Sequence, residues 1–285
     1  MSVLQIDVKQ TIASKNKKLA KWLPHFTIRW VEKLIHQDEM NQFLVKHEHD
    51  NAIDFARHVI EDFAQASISV VNEEKIPKEG RYIVVSNHPL GAIDGLALVS
   101  LLGKYRTDIK FPVNDLLMAI EPMRTIFIPI NKHGRNNTDA AKELHNTFAS
   151  NDLVLYFPAG LCSRKIDGNI QDLEWKKTII QKAITYQRDI IPVYFEGRNS
   201  ERFYRIANWR KKLGIKVNLE MILLPDEMTK QKGKNFTITF GDPISYTMFD
   251  NSKNHKEWAA WLRKQTLNLS KGVLQYAPAK NVNDL

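Results

Sequence analysis

Between Gly80 and Phe240 the chain repeatedly sets a short run of Ile, Val, Phe and Tyr beside a longer stretch with helical spacing, and this alternation limits its fold more than any other feature. The runs Tyr82–Ser86, Lys110–Val113, Thr125–Ile130, Leu153–Phe157 and Ile190–Phe195 are nearly continuous in apolar residues, as strands buried on both faces must be. Leu96–Gly103, Asp115–Met123, Thr138–Ala149 and Leu173–Tyr186 fall between them and read as helices, with a cap near Asn136–Thr138. Val217–Leu224 and Asn235–Phe240 read as further strands, the second closed by Gly241-Asp242-Pro243, and Trp258–Tyr276 reads as a last helix. Such an order predicts an α/β fold with a mostly parallel central sheet flanked by helices.

The chain divides near Gly80, into an N-terminal helical segment (1–79) and the α/β domain (80–285). Lys15–Leu23, Phe26–Ile35 and Glu39–Ala66 read as helices, with Pro24 ending the first. Basic residues such as Lys18, Lys21 and Arg29 alternate there with Trp22, Phe26 and Trp30. Two readings fit equally: an interfacial membrane segment, or a solvated basic face over a core-facing stripe. The net charge of +9 favours an acidic partner without choosing among nucleic acid, an anionic membrane and an anionic carrier.

Cys162 is the single cysteine, so no intramolecular disulfide and no cysteine-based zinc site can form. Gln5, Asp7 and Lys9 interrupt any signal-like stretch, and no run of apolar residues reaches membrane-spanning length. The most apolar neighbourhood, Ile83 to Leu102, contains Asn87, His88 and Asp94. His47-Glu48-His49-Asp50 reads as a solvated helix face rather than a metal site. Zinc-finger spacing and aromatic RNA-binding strands are absent, so no nucleic-acid partner is expected.

Two strand ends carry chemistry. In Ser86-Asn87-His88-Pro89-Leu90-Gly91-Ala92-Ile93-Asp94 a buried run opens into a polar turn, where α/β folds place ligands. An imidazole there can act as general base, and a carboxylate on its other ring nitrogen fixes the tautomer. Taken alone, the pair reads more readily as a turn residue, His88, and a helix cap, Asp94. In Phe157-Pro158-Ala159-Gly160-Leu161-Cys162-Ser163-Arg164 a second run ends in a turn whose amides can receive an oxyanion, followed by a hydroxyl and a guanidinium.

Taken together with Phe127-Ile128-Pro129-Ile130 and Ile191-Pro192-Val193, these blocks resemble the phospholipid/glycerol acyltransferases. That family is marked by a His-x4-Asp turn, a Phe-Ile-x-Arg strand end, a Phe-Pro-Glu-Gly turn and a later Val-Pro-Val strand, in this order. The resemblance spans residues 80–240 and has four departures. Five residues separate His88 from Asp94, Ile130 replaces an Arg with Lys132 two places on, Ala159 replaces the Glu, and Cys162 replaces a further Arg with Arg164 nearby. His-Pro-Leu-Gly-Ala-Ile-Asp-Gly and Phe-Pro-Ala-Gly-Leu-Cys-Ser-Arg look most like the hemolysin-like branch, which includes O-acyltransferases of bacterial ornithine and glycine lipids.

The resemblance implies an O-acyltransferase that moves a fatty acyl group from acyl-carrier protein or acyl-CoA to a lyso-lipid hydroxyl, without cofactor or metal. His88 would be the base and Asp94 its orienting partner. Lys132, Pro158, Gly160, Ser163 and Arg164 would bind substrate, the loss of glycerol- and phosphate-binding groups suiting a lyso-aminolipid better than lysophosphatidic acid. Such a protein would be cytoplasmic and peripheral on the inner face of the cell membrane. The rivals are a Cys–His thioester hydrolase using Cys162, and a non-catalytic basic lipid- or nucleic-acid-binding protein.

Overall fold

The computed structural model describes residues 6–15, 17, 22–130 and 137–271. The strands are β1 (Ser67–Val71), β2 (Tyr82–Ser86), β3 (Ile109–Val113), β4 (Phe127–Pro129), β5 (Leu153–Tyr156), β6 (Arg164–Ile166), β7 (Asn169–Gln171), β8 (Asp189–Phe195) and β9 (Asn235–Phe240). Seven form one sheet in the order β1-β9-β8-β2-β5-β3-β4, while β6 and β7 make a separate hairpin. Every neighbouring pair in the large sheet is parallel except β8 with β9. The expected mostly parallel sheet is therefore present.

Helices cover both faces. They are α1 (Val8–Lys15), α2 (His25–Leu34), α3 (Gln37–Lys46), α4 (Ala52–His58), α5 (Ile93–Leu102), α6 (Asn137–Ala149), α7 (Thr178–Tyr186), α8 (Glu201–Lys212), α9 (Leu224–Thr229) and α10 (His255–Asn268). Successive strand residues point to opposite faces, and the packing follows that period. Val84, Leu153 and Leu155 join Phe55 of α4 and Leu98 of α5 in one core. Ile83, Val85 and Val154 join Ile179 of α7 and Leu262 of α10 in the other. Both faces of β2 and β5 are thus dry, which explains their unbroken apolar runs.

Where the expectations fail, the reasons are local. Val217–Leu224 is not a strand: Leu219–Leu223 is a 3-10 turn leading into α9, with Leu219 and Ile222 exposed and Glu220 buried, the inverse of an apolar strand face. Asp115–Met123 is two 3-10 turns, Asp115–Ala119 and Glu121–Met123, separated by an extended Ile120. The long helix over Glu39–Ala66 is broken, because the Asn51 side chain accepts from the amides of Ile53 and Asp54 and starts α4 afresh. β1 lies before Gly80 yet pairs with β9 through Ser67–Val71, so the boundary read near Gly80 falls between two strands of one sheet.

This topology positions the site. β2 lies between β5 and β8, and the chain leaving β2 crosses over α5 to β3 on the far side of β5. Such a reversal opens a crevice at the carboxyl ends of the strands. The His88 turn leaves β2 there, and the Phe157-Pro158 turn leaves β5 beside it.

Candidate active site

Four residues pin the turn after β2. Asn87 is buried and bonds β8 twice: its amide nitrogen donates to the Phe195 carbonyl at 2.9 Å, and its oxygen accepts from the Phe195 amide at 2.7 Å. The His88 amide donates to Asp172 Oδ1 at 3.1 Å, and its carbonyl accepts from the Ser163 amide at 2.7 Å. Asp172 also accepts from Ser163 Oγ at 2.6 Å and, on Oδ2, from Trp175 Nε1 at 2.9 Å. A single buried carboxylate thereby ties the β2 turn to the β5 turn.

The His88 ring is oriented from two sides. It stacks on Phe157 with centroids 4.1 Å apart, and its Nδ1 lies 3.0 Å from Asp94 Oδ2. The same Oδ2 accepts from the amides of Leu90 at 2.9 Å and Gly91 at 3.2 Å, while Oδ1 accepts from the Gly95 amide at 3.0 Å. With Nδ1 donating to the carboxylate, Nε2 is the nitrogen able to take a proton. Burial works hardest against a charged His88, but the charge and hydrogen bond of Asp94, with Asp172 behind, outweigh it and raise the imidazole above its ordinary range. Burial also opposes ionised Asp94, and His88 with the amides of Leu90 and Gly91 overcomes it, holding the carboxyl below its usual range. The pair is an imidazole with a fixed tautomer and a fixed counter-charge.

His88 opens onto a cleft of about 440 Å³. Leu96, Phe111, Val113, Leu117, Phe127 and Ile130 give it an apolar lining, and Lys176, Pro158 and Gly160 line it as well. Lys176 Nζ lies 2.6 Å from the position a Cβ on Gly160 would occupy, so the ammonium group covers that turn. An imidazole lining a largely apolar cleft suits a reaction on the polar end of a long aliphatic substrate.

Residues 10–275 match the family model for acyltransferases. The chain belongs to the acyltransferase family. It is 45% identical over 263 residues to the lyso-glycine lipid O-acyltransferase of Bacteroides thetaiotaomicron, covering 92% of this chain and 96% of that one. It is 42% identical over 263 residues to the protein of the same name from Phocaeicola vulgatus, covering 92% and 94%. The crystal structure of the 1-acyl-sn-glycerophosphate (LPA) acyltransferase PlsC from Thermotoga maritima superposes with a TM-score of 0.50 at 16% identity, covering 79% of this chain and 80% of that chain, and shares its fold. The resemblance read from four short blocks is borne out, and the protein is an acyl-transferring enzyme.

Within this acyltransferase the expected site residues separate into two groups. His88, Pro158 and Gly160 line the cleft, with Asp94 fully buried behind His88. Ser163 and Arg164 lie behind the turn instead. The Ser163 hydroxyl is spent on Asp172, and the Arg164 guanidinium donates to Glu220 Oε1 at 2.8 Å and to the Cys162 carbonyl. Glu220 is itself shared with Arg210 Nε at 2.8 Å. The Gly160 amide donates to the Phe157 carbonyl at 3.1 Å, closing its own turn. Lys132 lies outside the described residues.

Cys162 is fully buried, and burial pushes its thiol up to about 11 despite the Arg164 guanidinium 3.0 Å from Sγ. Such a thiol is inert as a nucleophile at neutral pH. His47 is buried rather than solvated: its Nδ1 and that of His58 lie 2.9 and 2.6 Å from one Asp50 oxygen, a hydrogen-bonded knot joining α3 to α4. Asn87, Asp172, Trp175, Lys176 and Glu220 were not singled out by the sequence. Trp175 reaches the site through Asp172, the contacts of the others extend as far as the 108 residues between Asn87 and Phe195, and Asp167-Gly168, a hairpin dipeptide, is the one local sign that the chain doubles back to bring Asp172 to the turn.

Proposed function

We propose that the enzyme O-acylates a lyso-aminolipid of the glycine-lipid type, drawing the acyl group from the thioester of an acyl-carrier protein or coenzyme A. The supporting observation is the His88–Asp94 pair, with His88 lining a largely apolar cleft, joined to the names of the two relatives that match over nearly their whole length. The acceptor hydroxyl gives its proton to His88 Nε2 as its oxygen bonds to the thioester carbon. The C–S bond then breaks, and the thiolate leaves with the proton that His88 carries. Asp94 stabilises the imidazolium between the two transfers. A thioester is already activated, so positioning and proton transfer suffice.

Arg164 and Ser163 serve this scheme by holding the turn, and Lys176 is the cation placed to meet negative charge on the donor or the developing oxyanion. Ala159, small and buried, offers no acceptor to a glycerol hydroxyl. The exposed Trp22, Phe26 and Trp30 of the N-terminal segment would rest at the membrane where the acceptor resides. Among the described residues no helix is long and apolar enough to cross a membrane, which fits a peripheral enzyme on the inner face of the cell membrane.

Purified protein given an acyl thioester and a lyso-glycine lipid should release thiol and form the diacylated lipid, followed by mass spectrometry. His88→Ala should abolish both while keeping the melting temperature, since losing a positioned base costs about 10²–10⁴-fold. Near-wild-type turnover by folded His88→Ala would overturn the mechanism.

A further inference from the structure

One helix face is built differently from the rest of the surface. The buried stripe of α8 runs through Phe203, Tyr204 and Ala207, which seat it on the protein. Off that stripe, Arg202, Arg205, Trp209 and Leu213 follow one another three to four residues apart along a different side, and all four are exposed. Trp209 and Leu213 are each 71% exposed, Val217 is 67% exposed, and Leu219 and Ile222 follow on the adjoining turn. A soluble protein normally leaves such residues singly on its surface, not as a run along one element and its neighbour.

Arg202 and Arg210 are ion-paired, to Asp226 and Glu220, but four other cations around this run are not. Arg205, Lys211, Lys212 and Lys216 have no carboxylate within ion-pair distance among the described residues. The acidic groups near them are engaged elsewhere: Glu220 by Arg164 and Arg210, Glu201 by Lys165 and Arg198, Asp226 by Lys230 and His36. An aromatic and aliphatic tip rimmed by free cations matches the two layers of an anionic bilayer, acyl boundary and headgroups. A soluble acidic partner would need the charges but not six exposed large apolar side chains, Ile215 being the sixth.

We propose that the C-terminal half of α8 and residues 213–222 form a docking surface for an anionic lipid bilayer, distinct from the N-terminal aromatic helix. Two contacts connect it to the cleft. Met221, in the same 3-10 turn as Leu219 and Ile222, lines the His88 cleft. Leu34, at the end of α2, packs on the cluster of Phe203 and Tyr204. Exposed aromatic residues on α2 and on α8 therefore belong to adjoining elements, and docking through both brings the Met221 side of the cleft to the lipid. This rests on the reading of the acceptor as a membrane lipid.

The test is co-sedimentation of the full chain with vesicles of phosphatidylglycerol and phosphatidylcholine, beside vesicles of phosphatidylcholine alone. Wild-type protein should partition onto the anionic vesicles and be released by salt. Trp209→Ala with Leu213→Ala should weaken partitioning about tenfold or more, and so should Lys211→Glu with Lys212→Glu. These exposed positions should leave melting temperature unchanged, as well as turnover of a short-chain acceptor dissolved as monomers. Wild-type partitioning by both double variants overturns the proposal. So does a loss confined to saturation by a carrier-protein donor, which would make this a protein-docking face. Sedimentation does not require catalysis, so an inactive protein that still docks through Trp209 refutes the proposed reaction and leaves this surface standing.

Discussion

Replacing Asp94 by Asn removes a charge while leaving a side chain of the same shape, which isolates what the carboxylate contributes. In the folded protein Oδ2 receives three donors, from His88, Leu90 and Gly91, and Oδ1 receives one, from Gly95. The amide oxygen of Asn is expected in the three-donor position, since the NH₂ group there would face three N–H groups. His88 then keeps its tautomer, but the NH₂ meets the Gly95 amide donor to donor, costing about 1–3 kcal/mol of stability. The kinetic cost is larger. Opposite charges about 4 Å apart at an effective dielectric near 20 attract by about 4 kcal/mol, which is roughly a thousandfold in rate at 1.36 kcal/mol per decade. The pH profile supplies a second readout. In the wild type the base must be neutral to accept a proton, so kcat/KM should rise with pH through a limb above the ordinary histidine value of about 6.5. Without the Asp94 charge, burial becomes the dominant influence on His88, and burial favours the neutral ring. The limb should therefore move to lower pH as the plateau falls. Thiol release measured from pH 5 to 9 with both proteins decides the matter. A plateau within tenfold of wild type together with an unmoved limb would refute this account of the pair.

Cys162→Ser should retain most activity, lose about 1–3 kcal/mol of stability to the buried hydroxyl, and show no acyl adduct by intact mass; a trapped thioester on Cys162 would revive the hydrolase reading. Glu220→Ala strands the Arg164 and Arg210 guanidinium groups and should lower unfolding stability by about 3–5 kcal/mol in denaturant titration, against which a loss below about 1 kcal/mol would count. Competed for one labelled donor, a lyso-glycine lipid should outpace lysophosphatidic acid. A tenfold win by lysophosphatidic acid, about 1.4 kcal/mol in the transition state, would show that the phosphate site has been misread.

The central sheet was legible because β2, β5 and β8 are buried on both faces and betray themselves as apolar runs. β1 was not, because it pairs on one side only and its residues alternate between exposed and half-buried, leaving no contiguous apolar signal. Residues 217–224 misled in the opposite sense: Val217, Leu219 and Ile222 look like strand residues but are turned to solvent, while the charged Glu220 is the one buried. At the site, His88 and Asp94 stand close in sequence and their turn could be read. Asp172 and Lys176 reach it only through the β6–β7 hairpin, whose Asp167 and Gly168 both take positive φ, of 48° and 80°. That dipeptide marks where the chain turns back but not where the returning strand delivers its carboxylate. A guanidinium after a strand end invites an anion, and for Arg164 that anion is Glu220, more than 50 residues on, rather than a substrate.

The turn between His88 and Asp94 meets the residues after β5 at Gly91, which takes φ +83°, a conformation that costs other residues about 1–2 kcal/mol. The turn then folds back far enough for Asp94 to accept from the amides of Leu90 and Gly91 and still lie 3.0 Å from His88. Folding back has a steric consequence. A Cβ on Gly91 would stand 2.9 Å from the Cβ and 3.0 Å from the Sγ of Cys162, and 3.0 Å from Leu224 of α9. The Cys162 side chain therefore packs against the backbone of the turn at Gly91, and any residue larger than glycine at position 91 would press on it. The missing Cβ at Gly91 and the small side chain of Cys162 let the two turns meet, and Arg164, two residues on, is turned away from the cleft onto Glu220.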